Sequence, residues 1–578
     1  MPGFLGYIGK KVKQSIFDKN QRQDLVNDII SNDLIYLERR TVNKFLNDKV
    51  FIEDDEFIVV TEGVILNSLE LIEKYKCKCL SETIIEMYRK NGNEFFGEFR
   101  GSFSGFLYDK KNDKKIIYTD HIGDKQIFYS KVDNGFVFAS EINYIIEYYN
   151  KNNIKYSLNE AGAYYLLTYG YMLEDNTLFA DIKKLIAGHY ILVENDNMDI
   201  IQYFKLDNDS NYNLTEDEII ENIDVLFKQA IKRAFEKDKE YGYKHLVALS
   251  GGLDSRMTTW VANDMGYGHN IVNYTFSQSD YLDETIAKKI ASDLKHEWIF
   301  KFLDNGLFLI NLEEVVKISS GGALYYGLAH GKSCLDLINL DRFGTIHSGQ
   351  LGDVIIGTFF SSLDNNKEFS IGDGAYSKLL INKLDKYNHK LKYKNEEIFK
   401  FYNRGFNGAN QGLLISQEST ETYSPFYDLD FLKYCLQIPL DLRYNHKIYF
   451  KWILRKYKKA ADYTWESING KITEKKVNIL GRQIPLKQIP VKTINYLKRK
   501  IGIRNSALSS KNHMNPLDYW YGTNKELRDF MDNYYESNIN RLSLNKELMN
   551  DCKYLYKKGD NIEKNQVLTL LSVLKLYF

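Results

Sequence analysis

The chain has 578 residues, and its 77 Lys and Arg residues are balanced by 77 Asp and Glu residues. A length well above about 300 residues predicts at least two domains, and a formal net charge of zero excludes an overall field that would attract nucleic acid or an anionic membrane surface. The five cysteines contain no Cys-x-x-Cys pair and the sequence has no long apolar run. We therefore expect a cytoplasmic protein with no zinc site, dithiol site or membrane span.

Short β-patterned runs alternate with turns over residues 1–205. The runs typical of strands are 57–61, 101–108, 115–118 and 135–139, and helical patterns occupy 81–90 and 160–167. Because strands dominate, this part predicts a two-layer sheet sandwich flanked by helices. The polar stretch 207–213 is typical of a linker.

The pattern changes after the linker. A helix is predicted from Thr215 to about Phe235, and the segments that follow alternate between strand and helix patterns. These segments are the strands 246–249, 271–276 and 298–303 and the helix 283–294. Such alternation predicts a doubly wound α/β domain. Helical patterns prevail from about residue 375, and we interpret the basic segment 484–512 as a solvated helix face rather than a polyanion site.

The most informative segment of the chain is the loop that follows the apolar run Leu246–Leu249. It reads Ser250-Gly251-Gly252-Leu253-Asp254-Ser255 and leads into a helical pattern. Glycines allow close backbone approach, while turn N–H groups and a helix N-terminus favour an oxyanion. Asp254 adds a carboxylate suited to Mg²⁺. The order differs from the Walker and dinucleotide-binding loops. It resembles the pyrophosphatase loop of enzymes that split ATP into AMP and pyrophosphate, and this resemblance implies an ATP site rather than a tight turn of small residues.

Further motifs follow in a fixed order and show which family the chain resembles. They are Asp283–Ala287, His347–Asp353, Pro425–Asp428 and Lys451–Arg455 with Lys471 beyond it, preceded by Phe106–Asp109, Asp120–Lys125, Phe138–Ile142 and Leu185–Val193. Over residues 1–480 the chain resembles the asparagine synthetase family. The resemblance implies an N-terminal nucleophile (Ntn)-type αββα glutaminase-like domain at 1–205 and an adenine-nucleotide α-hydrolase-like (PP-loop) ATP-pyrophosphatase domain at 215–480. We expect 481–578 to be a helical C-terminal extension of the second domain.

The same resemblance implies the site residues and the cofactors, ATP and Mg²⁺. The residues expected to bind ATP are Leu249, Ser250, Gly251, Gly252, Asp254, Ser255, Thr275, Phe276, Ser348 and Gly349. Asp254 and Asp353 are the expected magnesium ligands. Lys471 is expected to stabilise negative charge during catalysis, and Gln350 lies where asparagine synthetases have a glutamate that contributes to the ammonia step.

Three departures from the family pattern bear on the reaction. Pro2 stands where glutamine-hydrolysing members have their nucleophilic cysteine, and Glu62 replaces the asparagine that helps to stabilise the oxyanion. Both changes predict that the first domain is inactive as a glutaminase. Gln350 can form hydrogen bonds but cannot take a proton at neutral pH, which argues against plain asparagine synthesis.

We therefore predict an ATP-dependent amide-forming ligase that joins a small-molecule or peptide carboxylate to an amine or ammonia, in natural-product, peptide or polysaccharide modification. An ammonia-dependent asparagine synthetase is the first alternative, and a non-enzymatic nucleotide-binding scaffold is another. A tRNA-modifying thiolase would need cysteines and a basic surface that the sequence does not offer. No nucleic-acid or membrane partner is expected, and a homodimer is left open. The acceptor pocket is expected near 319–335 and 408–424.

Overall fold

A computed structural model describes most of the chain. The described residues are 2–9, 16, 24–133, 135–195, 197–210, 213–387, 391–474 and 510–578, together with the backbone of 476–479 and 482–485. Residues 486–509, the greater part of the predicted basic segment, lie outside them. Within these ranges, no helix combines the length and apolar character needed to cross a membrane.

Twelve strands of the first part of the chain form two six-stranded sheets. The strands are β1 Gly3–Gly9, β2 Leu25–Ser31, β3 Ile35–Val42, β4 Phe51–Glu53, β5 Phe57–Ile65, β6 Gly101–Asp109, β7 Lys114–Thr119, β8 Phe128–Val132, β9 Gly135–Ala139, β10 Lys183–Lys184, β11 His189–Glu194 and β12 Asn197–Gln202. The sheet orders are β10-β8-β9-β1-β3-β2 and β12-β11-β7-β6-β5-β4, with antiparallel neighbours in both.

Helices cover the outer faces of the two sheets. They are α1 Ser68–Tyr75 and α2 Leu80–Asn91 on one sheet, and α3 Ile142–Lys151 and α4 Glu160–Tyr169 on the other. Strand β5 shows how the layers arise, because alternate side chains of a strand point to opposite faces. Ile58 and Val60 join the core between the sheets, whereas Phe57 and Val59 pack with the helix layer. A four-layer αββα sandwich results.

The second part of the chain contains a five-stranded parallel sheet in the order β15-β14-β13-β16-β17. Its strands are β13 Lys244–Ala248, β14 Ile271–Ser277, β15 Glu297–Phe302, β16 Phe343–His347 and β17 Thr422–Tyr423. The long helix α5, Glu216–Glu240, begins with a capping box in which the Thr215 side chain and Glu218 satisfy each other's backbone N–H groups.

Helices cover both faces of this parallel sheet. Those up to the end of the sheet are α6 Leu253–Ala262, α7 Leu282–Leu294, α8 Leu312–Ser319, α9 Tyr326–Leu335, α10 Gly352–Ile356, α11 Glu396–Lys400 and α12 Leu414–Gln417. After β17 follow α13 Leu429–Leu436, α14 Leu440–Arg443, α15 Lys447–Lys456 and α16 Lys458–Ala461. The predicted mixed α/β fold is confirmed, and the four predicted strands of the first part lie within β5, β6, β7 and β9.

Four C-terminal helices bind the two halves together. They are α17 Leu517–Thr523, α18 Lys525–Asn538, α19 Lys546–Lys558 and α20 Asn561–Tyr577. Their apolar side chains share one core with α3, α4 and α8. The Tyr164 hydroxyl on α4 also donates to the Asp551 carboxylate at 2.8 Å. The C-terminal helices therefore pack against both halves of the molecule.

A cluster of buried charges lies where the first half meets the parallel sheet. Glu421, which directly precedes β17, forms ion pairs with Lys49 at 2.8 Å and Lys125 at 2.7 Å. Lys49 also lies 3.5 Å from Glu62. Although burial raises the pKa of Glu421, the two lysines hold it below its usual range. Two lysines of one domain thus share a carboxylate of the other.

We predict that Glu421→Gln lowers the free energy of unfolding by about 3–5 kcal/mol, because it leaves two buried lysine charges without their shared partner. The matched variant Glu56→Gln removes a carboxylate that pairs with Arg89 at 2.8 Å, where both side chains are half exposed. That variant should cost less than about 1 kcal/mol. Denaturant unfolding measures both, and equal effects would contradict the interpretation of the cluster as a structural contact between domains.

Candidate active site

One large cavity, of about 750 Å³, lies at the carboxyl ends of the parallel strands β13, β14 and β16. Ligands of open α/β sheets commonly bind at this edge. Of the predicted nucleotide-binding residues, the lining includes Leu249, Ser250, Gly252, Asp254, Ser255, Thr275, Phe276, Ser348 and Gly349. Asp353 and Gln350 also line it. The structure therefore gathers residues from three separate segments into one site.

The loop 250–255 is fixed by side chains inside the protein. Ser250 N–H donates to Ser255 Oγ at 3.0 Å, and Gly251 N–H donates to Asp283 Oδ1 at 2.8 Å. Gly252 N–H donates to Ser250 Oγ at 3.2 Å. These three N–H groups therefore already have acceptors inside the protein, and the expectation that the turn receives an oxyanion stays a prediction. The hydroxyls of Ser250 and Ser255 and the N-terminus of α6 are further groups suited to that role.

The turn after β16 approaches the loop backbone to backbone. A Cβ at Gly349 would lie 2.3 Å from Ser255 N, and one at Gly352 would lie 2.7 Å from Asp254 Cγ. Between these glycines, Leu351 has φ +59°, a left-handed conformation that costs a branched residue about 1 kcal/mol or more. Strain of this kind clusters at functional sites, and here it accompanies a turn that only glycines can bring so close.

Asp254 and Asp353 form the acidic side of the site. Asp254 accepts from the Tyr449 hydroxyl and from Asp353 N–H, both at 2.9 Å. Burial, and next the charge of Asp353, raise the pKa of Asp254 well above its usual value. Two neighbouring carboxylates, one half-buried and one exposed, are a donor set that a hard divalent cation neutralises, so these residues fit the predicted Mg²⁺.

An aromatic wall borders the second side of the cavity. Phe276 stacks on His330 with ring centroids 4.8 Å apart, and Tyr274 also lines the space. Burial lowers the pKa of His330 to about 4, so its imidazole is neutral at pH 7. Thr275 has a structural role, because its Oγ1 donates to the Leu249 carbonyl at 2.6 Å.

The two predicted catalytic residues have different positions. Gln350 lines the cavity, and its Nε2 donates to the Ala409 carbonyl at 2.9 Å, which fixes the amide. Lys471 is not among the lining residues, and its Nζ lies 3.7 Å from Asp462 with about half of the side chain exposed. Its segment does reach the site, since Glu466 N–H donates to the Gly251 carbonyl at 3.2 Å.

Three residues that organise the site were missed as site residues from sequence. Asp283 accepts from Gly251, Tyr449 donates to Asp254, and Arg256 donates to the Gly251 carbonyl at 3.1 Å. Asp283 lies in the recognised segment 283–287, which could have signalled a role. Tyr449 and Arg256 carry no comparable signal. Lys451 and Arg455, recognised in the same way, instead pair with Glu216 and Asp217 at the start of α5.

A buried triad lies directly behind the turn after β16. Asp238 Oδ2 lies 2.7 Å from His347 Nε2 and 2.9 Å from His245 Nδ1. Although burial raises the pKa of Asp238, the imidazoles hold it below its usual range. These are hydrogen-bond distances to one ionised oxygen, so the triad fixes the strand end from which Ser348 and Gly349 project.

Two positions of the first domain bear on its predicted loss of activity, Glu62 and Pro2. The Glu62 side chain is buried, accepts from Thr41 Oγ1 at 2.7 Å and lies next to Lys49. Pro2 immediately precedes β1, a central strand of its sheet. All five cysteines are described. Cys77 and Cys79 lie between α1 and α2, and Cys334, Cys435 and Cys552 are buried in the remainder of the chain.

Comparison with known proteins agrees with this geometry. A glutamine amidotransferase domain family matches residues 47–204. A protein of Methanocaldococcus jannaschii named asparagine synthetase [glutamine-hydrolyzing] 2 is 27% identical over 271 residues, which are 44% of this chain and 52% of that protein. Asparagine synthetase [glutamine-hydrolyzing] 2 of Bacillus subtilis is 28% identical over 259 residues, 42% of this chain and 34% of its own. Over these segments the chain is similar to asparagine synthetases.

The recognition made from sequence is thereby confirmed, while the loss of the catalytic cysteine stays a prediction. The chain spans about half or less of the length of these two relatives. Among solved structures, the B. subtilis glutamine phosphoribosylpyrophosphate amidotransferase complexed with ADP and GMP is 8% identical and has a TM-score of 0.24. That match covers 53% of this chain and 85% of that chain. A score this low carries no weight for the fold.

We predict that Gly349→Ala abolishes measurable MgATP binding while the protein stays folded, because the added methyl group would push the turn away from Ser255. The matched control is Gly327→Ala, since Gly327 lines the same cavity and an added Cβ there meets nothing within 4 Å. Isothermal titration calorimetry with MgATP measures the difference. Unchanged affinity in Gly349→Ala would show that nucleotide does not bind at this turn.

Proposed function

We propose that this protein is an ATP-dependent amide-forming ligase that activates a substrate carboxylate as an acyl-adenylate and transfers the acyl group to an amine or ammonia. The observation that carries the proposal is the meeting of the loop 250–255, Ser348–Gly349 and the carboxylates Asp254 and Asp353 in one cavity of a protein similar to asparagine synthetases. Residues 1–205 would be an Ntn-type domain, 215–480 a PP-loop domain, and 481–578 its helical extension.

The loop side of the cavity would hold the triphosphate. Ser250 and Ser255 offer hydroxyls 3.0 Å apart, and the N-terminus of α6 adds a partial positive charge. When bound, Mg²⁺ would neutralise part of the phosphate charge, held by Asp254 and Asp353. The Phe276 and His330 rings offer a flat, neutral surface on which an adenine ring can stack.

In the first half-reaction the substrate carboxylate oxygen attacks the α-phosphorus, the bond to the β-phosphate oxygen breaks, and pyrophosphate leaves. In the second, the amine nitrogen attacks the acyl carbon, AMP leaves with the bonding electron pair, and the nitrogen loses a proton. Lys471 would stabilise the negative charge of both steps. Its segment already contacts the loop, through the hydrogen bond from Glu466 N–H to the Gly251 carbonyl. The amide of Gln350 would orient the acyl group, since it cannot accept the proton.

Pyrophosphate release is the direct test. With MgATP and a panel of carboxylic acids, we expect the wild-type protein to release pyrophosphate and form AMP, and Lys471→Ala to do so about 100- to 1,000-fold more slowly. Lys289→Ala is the control, since Lys289 is a similarly exposed lysine that pairs with Asp293 at 3.0 Å.

Two results would overturn this assignment. One is an absence of MgATP binding at millimolar concentration, which would also remove the alternative of a nucleotide-binding scaffold. The other is a turnover in Lys471→Ala equal to that of Lys289→Ala. Formation of asparagine from aspartate, ammonium and ATP would instead favour the ammonia-dependent asparagine synthetase.

We further predict that glutamine does not supply the nitrogen. Proline at position 2 has no thiol to form a thioester, and Glu62 offers a carboxylate, already paired with Lys49, where an oxyanion would need a hydrogen-bond donor. Glutamate formation from glutamine, followed with and without MgATP, should stay at the rate of a protein-free blank. Glutamate released in proportion to enzyme concentration would show that the first domain is an active glutaminase.

A further inference from the structure

The cavity continues past the nucleotide-binding residues to a third side, which both domains build. Gly170 and Tyr171 come from the first domain, and Tyr326, Tyr376 and Arg404 come from the second. Gln350 contacts Ala409, and a Cβ at Gly408 would lie 2.9 Å from the Tyr171 ring. A chain of contacts therefore connects Gln350 with Tyr171 through Gly408 and Ala409.

Arg404 is the charged member of this third side. Its Cδ lies 3.3 Å from the position of a Cβ on Gly374, whose carbonyl accepts from the Tyr171 hydroxyl at 3.1 Å. The aliphatic part of the Arg404 side chain is thereby placed near the Tyr171 hydroxyl. Among the described residues that line the cavity, Arg404 is the sole lysine or arginine, and none of the described carboxylates forms an ion pair with it.

The acidic residues of the lining lie elsewhere. Asp254 accepts a hydrogen bond from Asp353 N–H in the turn after β16, and Asp283 accepts one from Gly251 N–H of the loop. The third side therefore presents an arginine cation with three tyrosines and no carboxylate among the described lining residues. A guanidinium fork binds a carboxylate through two parallel hydrogen bonds.

We propose that this side binds a second, unreacted carboxylate of the acid substrate, and that the substrate is a dicarboxylate with an apolar or aromatic body and no α-ammonium group. The proposal rests on the ligase function, because it takes the first carboxylate to be the one activated near Asp254. Tyr171, Tyr326 and Tyr376 would pack against the body while Arg404 receives the distal carboxylate. Aspartate fits this side poorly, since its ammonium group would find no acid among the described residues that line it.

Binding to the full-length protein tests the proposal without requiring turnover. Affinities are measured by isothermal titration calorimetry for the dicarboxylates succinate, glutarate and benzene-1,3-dicarboxylate, for the matched monocarboxylates butyrate and benzoate, and for aspartate. We expect the best dicarboxylate to bind more tightly than its matched monocarboxylate and than aspartate. The substitution Arg404→Gln should weaken the binding of that dicarboxylate about 10- to 100-fold. Arg404→Lys should recover part of the loss.

Arg342→Gln is the matched control, because Arg342 is an exposed arginine outside the cavity lining. Three results would each overturn the proposal. In the first, no dicarboxylate binds more tightly than its matched monocarboxylate. In the second, Arg404→Gln and the wild type bind with equal affinity, and in the third, aspartate binds more tightly than every dicarboxylate. Pyrophosphate release, measured separately, distinguishes the two failures. Dicarboxylate binding that depends on Arg404, without any pyrophosphate release, would overturn the ligase function and leave only the carboxylate-binding role of Arg404. Pyrophosphate release with carboxylic acids that is unchanged in Arg404→Gln would support the ligase function and overturn the proposed role of Arg404.

Discussion

The structure depends on one constraint: the charge of Glu421 is buried between two domains and must be paired there. Its partners, Lys49 and Lys125, belong to the first domain, while its own backbone leads into β17. The carbonyl of Glu421 accepts from Ile346 N–H, and Tyr423 accepts from Ser348 N–H at 2.9 Å. The ion pairs thus connect to the turn that carries Ser348 and Gly349, so the packing of the domains and the shape of the cavity are set by the same strand.

The cavity in turn depends on close backbone approach rather than on many polar side chains. Glycines at 349 and 352 let one turn lie against another, and Asp283 and Ser255 satisfy the N–H groups that the loop would otherwise expose. Since these donors are already paired, side chains inside the protein hold the conformation of the loop. Preorganised polar groups of this kind need little rearrangement when charge develops on a bound group.

Local patterns in the sequence predicted much of the fold and part of the site. The capping residues Thr215 and Glu218 mark the start of α5, and the apolar run before Ser250 marks β13, because such signals lie within a few neighbouring residues. Contacts between distant segments could not be predicted in this way. Nothing near Arg404 indicates that Tyr171 lies beside it, and nothing near Glu62 indicates its pairing with Lys49. The exposed position of Lys471 likewise depends on how its segment packs over Gly251, which the spacing of residues does not record.

The contribution of Gly170 and Tyr171 to the cavity wall has an evolutionary consequence. If the first domain is inactive as a glutaminase, as predicted, it would ordinarily be free to diverge or be deleted. Here the turn that follows α4 forms part of the wall of the cavity in which we propose that the substrate binds. Selection for a new ligand can therefore act through either domain. We expect substitutions in the two domains to be correlated during evolution.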